Sequence, residues 1–312
     1  MTSEPSGQAA LEETLPSGLF YRHWRCNGPA RGVILMVHGM GEHSGRYQGF
    51  AEFLVPRGFA VVAPDHVGHG RSPGRRVYVD RFSDYLDPLD SLVDIIRQHY
   101  PAVPCFLVGH SMGGLISARY LLDHQQHFAG AALSGPALGL EQPLSRLQLW
   151  ITSLLSRFFP RAGAMELDAS QVSRDPEVVR LYVADPLVNH GKITARLVTE
   201  LLRNLSEVEQ RRGEISLPML IMHGEGDVMT APSGSRAFHE GISSTDKTLR
   251  IYPELYHEIF NEPERLQVLE ELAQWLEART EPTAARAAVG AVPGWGGVRS
   301  SFALCSRCRA RR

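Results

Sequence analysis

The chain has 312 residues, 43% of them apolar and 21% charged, enough apolar content for a large buried core. Its 32 Lys and Arg against 34 Asp and Glu give a formal net charge of −2, which offers a polyanion nothing to bind and sets nucleic acid aside as a partner. Four scattered cysteines, Cys26, Cys105, Cys305 and Cys308, are too few for a disulfide framework and fit reduced thiols.

The opening MTSEPSGQAALEET is polar and acidic, unlike a secretory signal with its basic and apolar regions. No uncharged apolar run reaches the roughly 18–20 residues that span a bilayer. A soluble cytoplasmic protein is the expectation, with peripheral membrane contact left open and oligomeric state unreadable.

Six short apolar runs each end in a turn. In order they are Val33–Val37, Phe59–Ala63, Cys105–Val108, Gly130–Leu133, Met219–Met222 and Thr248–Tyr252. Continuous runs of this length suit strands buried on both faces, as in a parallel sheet covered by helices. Amphipathic stretches such as Asp90–His99 and Gly114–Asp123 lie between them, so the chain reads as an α/β fold, mostly parallel.

The alternation stops between residues 137 and 212, where no strand is evident. Leu144, Leu147, Trp150, Ile151, Leu154, Leu155 and Phe158 recur at helical spacing, which predicts an amphipathic helix inside an inserted helical cap. The core is then 1–136 with 213–280. From 281 to 312 the composition turns to Ala, Gly, Ser and Arg without periodicity, as in a disordered basic tail.

Gly109-His110-Ser111-Met112-Gly113 follows a predicted strand and opens a predicted helix. That is the setting in which G-x-S-x-G exposes a nucleophilic serine on a sharp turn. A serine hydroxyl needs a base to take its proton and a carboxylate to orient that base. In this α/β-hydrolase pattern the acid and then the histidine follow the serine along the chain. Asp227, after the run Met219–Met222, and His257, after the run ending at Tyr252, meet that order. Glu225 and His223 are their local rivals; Glu254 and Glu258 are expected in solvent. The oxyanion donors are expected to be the backbone N–H groups of Met112 and of Met40, in the loop His38-Gly39-Met40-Gly41. This chemistry calls for no cofactor.

Joint motifs extend the pattern. His38-Gly-Met-Gly-Glu-His-Ser-Gly-Arg-Tyr47, Asp65-His-Val-Gly-His-Gly-Arg-Ser72, Gly109–Gly114, and Ser173–Pro176 with Tyr182–Val188 resemble the monoacylglycerol lipase and lysophospholipase group over roughly residues 15–278. The resemblance implies an α/β-hydrolase core, a helical cap over the site and cleavage of single-chain acyl esters of glycerol. It also implies that Glu42 and Arg46 form the polar end of the substrate pocket; the dull reading of this pair is a local ion pair. Animal members carry a further histidine just past the catalytic one, whereas Glu258-Ile259-Phe260 follows His257 here.

Leu144, Leu147 and Ile151 of the predicted cap helix are candidates for acyl-chain contact, with membrane contact or plain packing as the other uses of that face. His38, His43, His66, His69 and His110 sit at strand ends and call for no metal site. Cys305 and Cys308 form half of a zinc-type pair without a second half. The rival functions are a lysophospholipase, carboxylesterase, thioesterase or acyltransferase of the same fold, and a non-catalytic ligand receptor on that scaffold.

Overall fold

The computed structural model describes residues 9–139 and 145–280, all in one compact unit that ends at Thr280. The expected tail with Cys305 and Cys308, and the candidate Leu144, lie outside the described residues. In chain order the strands are β1 (Leu11–Thr14), β2 (Phe20–Trp24), β3 (Gly32–Val37), β4 (Phe59–Pro64), β5 (Cys105–His110), β6 (Gly130–Ser134), β7 (Gly163–Met165), β8 (Ile193–Thr194), β9 (Met219–Gly224) and β10 (Lys247–Tyr252). The α-helices are α1 (Gln48–Leu54), α2 (Ser83–His99), α3 (Met112–His124), α4 (Arg146–Phe158), α5 (Pro176–Ala184), α6 (Ala195–Arg211), α7 (Pro232–Gly241) and α8 (Arg265–Glu277).

Eight strands form one sheet in the order β1-β2-β4-β3-β5-β6-β9-β10. The six predicted runs are its parallel part. β1 and β2 add an antiparallel edge that the apolar runs did not announce. The reason is local: β1 is the largely exposed Leu-Glu-Glu-Thr, and Arg22 and His23 interrupt β2.

Period-2 geometry sends successive strand side chains to opposite faces, and here both faces are covered. Val33, Leu35 and Val37 pack with Leu107, Leu92 of α2 and Leu121 of α3. Ile34 and Met36 pack on the other side with Phe106, Leu54 of α1 and Leu272 of α8. All parallel strands then deliver their following loops to one edge of the sheet, the usual place for a site in such folds.

Between β6 and β9 the chain makes a long helical excursion through α4, α5 and α6. Contrary to expectation it includes strands: β7 and β8 pair antiparallel, Gly163 with Thr194 and Met165 with Ile193. At three and two residues they are too short to leave a periodicity. Ser145 caps α4, its hydroxyl accepting the Gln148 N–H while its own N–H donates to the Gln148 side chain, a reciprocal pair that fixes where the helix starts. α6 packs on both α3 and α4. No described helix is long and apolar enough to cross a membrane.

Candidate active site

β5 ends at His110, opposite Ser134 of β6, and the chain turns at Ser111 with φ 55° and ψ −120°. Positive φ in a non-glycine residue is strained and persists only where the surroundings enforce it. Here the glycines permit it. A Cβ on Gly109 would stand 2.4 Å from Ser117 Oγ, and one on Gly113 only 2.0 Å from the Val37 carbonyl oxygen. Met112 is the first residue of α3, so its amide has no carbonyl partner within the helix.

Ser111 Oγ donates to His257 Nε2 at 2.8 Å, and His257 Nδ1 donates to Asp227 Oδ2 at 2.7 Å. The three come from the loops after β5, β10 and β9, and all are buried. Asp227 Oδ1 accepts the main-chain N–H groups of Met229 (2.8 Å) and Thr230 (3.0 Å). Oδ2 also faces Thr230 Oγ1 at 2.8 Å and His223 Nε2 at 3.0 Å. Burial alone would raise the Asp227 carboxyl; the neighbouring His257 and His223 outweigh it and hold it well below the usual carboxylate range. Burial disfavours the charged His257 ring, yet Asp227 overcomes this and raises its basicity above that of an ordinary histidine. Glu225, the rival acid, instead pairs with Arg236 on the surface. His223 is a buried partner of Asp227, its other nitrogen bonded to Ser235 Oγ at 2.7 Å. Thr230 went unnoticed in the sequence because only the fold of its loop aims its hydroxyl at the carboxylate.

The loop after β3 runs against the serine. A Cβ on Gly39 would lie 3.1 Å from Ser111 Cβ and 2.9 Å from Glu42 Oε1. Histidines brace this loop from beneath: His38 Nδ1 donates to the Gly39 carbonyl at 2.7 Å, and His38 Nε2 accepts the His66 N–H at 2.9 Å. His66 Nε2 donates to the His38 carbonyl at 3.1 Å. Burial holds His66 down to about 3, and His69 and His110 to about 4, so these rings are neutral packing groups. Among the described residues no group of three or more His, Cys, Asp or Glu side chains could hold a metal ion.

Glu42 and Arg46 are both near this loop, with a partner not expected there. Glu258 is buried, not solvated, because Arg46 reaches it with two nitrogens, at 2.5 and 2.7 Å. Arg46 Nη1 also donates to Glu42 Oε2 at 3.0 Å. Glu42 Oε1 accepts the Gly39 N–H at 2.6 Å and the Tyr47 hydroxyl at 2.7 Å. The Glu42–Arg46 ion pair is therefore real, and it also holds the loop beside Ser111. Glu254, in contrast, is exposed.

Met40, Glu42, His110, Ser111, His257 and Glu258 line a small cleft roofed by Leu167, Val172 and Tyr182. Its volume is about 20 Å³, room for about one water and far too little for an ester. An ester must displace part of that roof. Met40, Leu167 and Tyr182 also border a neighbouring cavity of about 510 Å³. The segment that carries the roof is tied to both loops: the Asn189 N–H donates to the Gly41 carbonyl at 2.7 Å, and the Glu258 N–H to the Val172 carbonyl at 2.8 Å. His43 Nε2 is 2.8 Å from Asp185 Oδ2. Leu147 and Ile151 do not border this cleft. With Trp150, Leu154, Leu155 and Phe158 they leave an exposed apolar surface on α4.

The family described as serine aminopeptidase, S33 matches residues 28–264. A monoacylglycerol lipase of Mycolicibacterium smegmatis is 37% identical over 83% of this chain and 92% of its own. The Homo sapiens monoglyceride lipase is 34% identical over 84% and 88%. The crystal structure of Paleococcus ferrophilus monoacylglycerol lipase superposes with a TM-score of 0.76, at 32% identity, covering 84% of this chain and 99% of that one. With its mostly parallel sheet, its strand-to-helix turn at Ser111 and these relatives, the chain belongs to this α/β-hydrolase family, within its monoacylglycerol lipase group.

Proposed function

We propose that the chain hydrolyses carboxylic esters of single-chain lipids, monoacylglycerols first among them, to fatty acid and glycerol. The observation that carries the reading is the hydrogen-bonded line from Ser111 through His257 to Asp227, at 2.8 and 2.7 Å, beside a loop braced against the serine. Similarity to proteins named as monoacylglycerol lipases supports the substrate class.

In this mechanism His257 takes the Ser111 proton as the hydroxyl attacks the ester carbonyl. The Met40 and Met112 amides receive the developing oxyanion, where a preorganised donor is worth about 10²–10³ in rate. His257 then protonates the departing alcohol, and water, activated by the same ring, releases the fatty acid. Asp227 holds the imidazole tautomer and stabilises its charged form. Residues 137–212 serve as a lid whose roof over the cleft shifts to admit substrate. The exposed apolar face of α4, with Leu147 and Ile151, meets the lipid surface that supplies the substrate.

A panel of monoacylglycerols, lysophospholipids and short-chain esters tests the substrate class, and strong preference for short-chain esters would overturn it. Ser111→Ala should fold and lose at least ~10⁴-fold in kcat on a p-nitrophenyl acyl ester. It should also lose labelling by a fluorophosphonate, which a non-catalytic receptor would never have shown.

A further inference from the structure

Glu258 follows the candidate base directly and is buried, with both oxygens committed. Oε1 and Oε2 accept from the two Arg46 terminal nitrogens, and Oε2 also accepts from Asn261 Nδ2 at 2.9 Å. Burial pushes its carboxyl up, but Arg46 more than offsets this and keeps it ionised. Glu42 receives only donors, namely the Gly39 N–H, the Tyr47 hydroxyl and Arg46, which is the pattern of a carboxylate. One guanidinium therefore serves two carboxylates, and it stacks over the Tyr182 ring 4.6 Å from its centroid. Two negative charges against one positive leave the cluster with a net charge of −1. Among the described residues the basic groups on the cleft wall are His257 and His110, and burial lowers His110 to about 4, which keeps it neutral.

The position of this cluster follows from the chemistry. The departing alcohol takes its proton from His257 Nε2 and so must lie within hydrogen-bond reach of it. Glu42 and Glu258 line the same cleft as Ser111 and His257. A neutral polyol can donate its hydroxyls to such carboxylates. A phosphate on the alcohol brings negative charge to a buried, net-negative wall, where Arg46 already faces two carboxylates.

We propose that Glu258 is a specificity-determining residue: it makes the alcohol end of the cleft anionic, so that neutral glycerol esters enter and single-chain lipids with a phosphate-bearing alcohol are rejected. This rests on the esterase reading above and deepens it.

The test compares kcat/KM for 1-oleoylglycerol and 1-oleoyl-lysophosphatidate, which share an acyl chain and differ at the alcohol. The wild-type chain should favour the glycerol ester at least 100-fold, and Glu258→Gln should narrow that ratio at least tenfold, chiefly through KM for the phosphate ester. A ratio cancels any uniform loss of folded enzyme. Should Glu258→Gln not fold, Glu42→Gln removes the second carboxylate and should narrow the ratio in the same direction. Equal use of both esters by the wild type, or a ratio unmoved in the folded variant, overturns the inference. Failure of the wild type to cleave 1-oleoylglycerol at all overturns the esterase reading beneath it.

Discussion

Arg174, in the excursion between β6 and β9, grips Glu262, five residues past His257, at two points. The Arg174 main-chain N–H donates to Oε1 at 2.8 Å and its Nε to Oε2 at 2.7 Å. The Glu262 side chain is fully buried while that of Arg174 is a quarter exposed, so the carboxylate depends on this partner. Together with the Glu258 N–H bond to Val172, the contact fastens the histidine loop to the roof of the cleft. Arg174→Ala should leave a buried carboxylate short of a donor and destabilise the fold by about 1–3 kcal/mol, read as a lower urea midpoint. Arg174→Ala combined with Glu262→Gln should recover part of that loss; a double variant no more stable than the single would count against the pairing.

The raised basicity of His257 predicts the acid limb of the pH profile. The base must be neutral to accept the Ser111 proton, so kcat/KM falls as pH drops through its folded pKa. Because Asp227 shifts that pKa upward, the limb should lie above the ordinary histidine value of about 6.5. Asp227→Asn removes the charge and the tautomer control together. It should move the limb to lower pH and cost about 10⁴ in kcat. A limb left in place by this variant would assign the titration to another group.

Thr230 should act as a positioning residue. Its hydroxyl lies 2.8 Å from Asp227 Oδ2 and 3.0 Å from the Gly135 carbonyl. Thr230→Val keeps the shape and removes the donor, and should lower kcat about tenfold with KM little changed. Thr230→Ser should restore most of the rate. Loss of the same size in both variants would point to packing instead.

Gly39→Ala probes the loop beside the serine. The added methyl would sit 3.1 Å from Ser111 Cβ and 2.9 Å from Glu42 Oε1, so the loop must retreat from the nucleophile. An oxyanion donor displaced in this way should cost about 10²–10³ in kcat. The φ at Gly39 does not require glycine, so any loss of stability should come from this crowding alone, about 1–3 kcal/mol. Full activity in the variant would remove the loop from the mechanism.

Much of this molecule was legible in the residues because local marks carry local physics. A strand buried on both faces must be apolar throughout, so Val33–Val37 and Met219–Met222 announce themselves. Ser111 is marked by the glycines that its turn demands, and Asp227 and His257 by their places after strands whose shared edge is a rule of parallel sheets. The tertiary structure decided what depends on partners distant along the chain. Glu258 looks like a surface acid until Arg46, 212 residues earlier, is folded against it. Thr230 in its loop and His223 at the end of β9 become partners of Asp227 only when the chain between them folds back, and Arg174 meets Glu262 across 88 residues. Charge and hydrogen bonding act over a few ångströms in space, and sequence spacing does not measure that distance once the chain is folded.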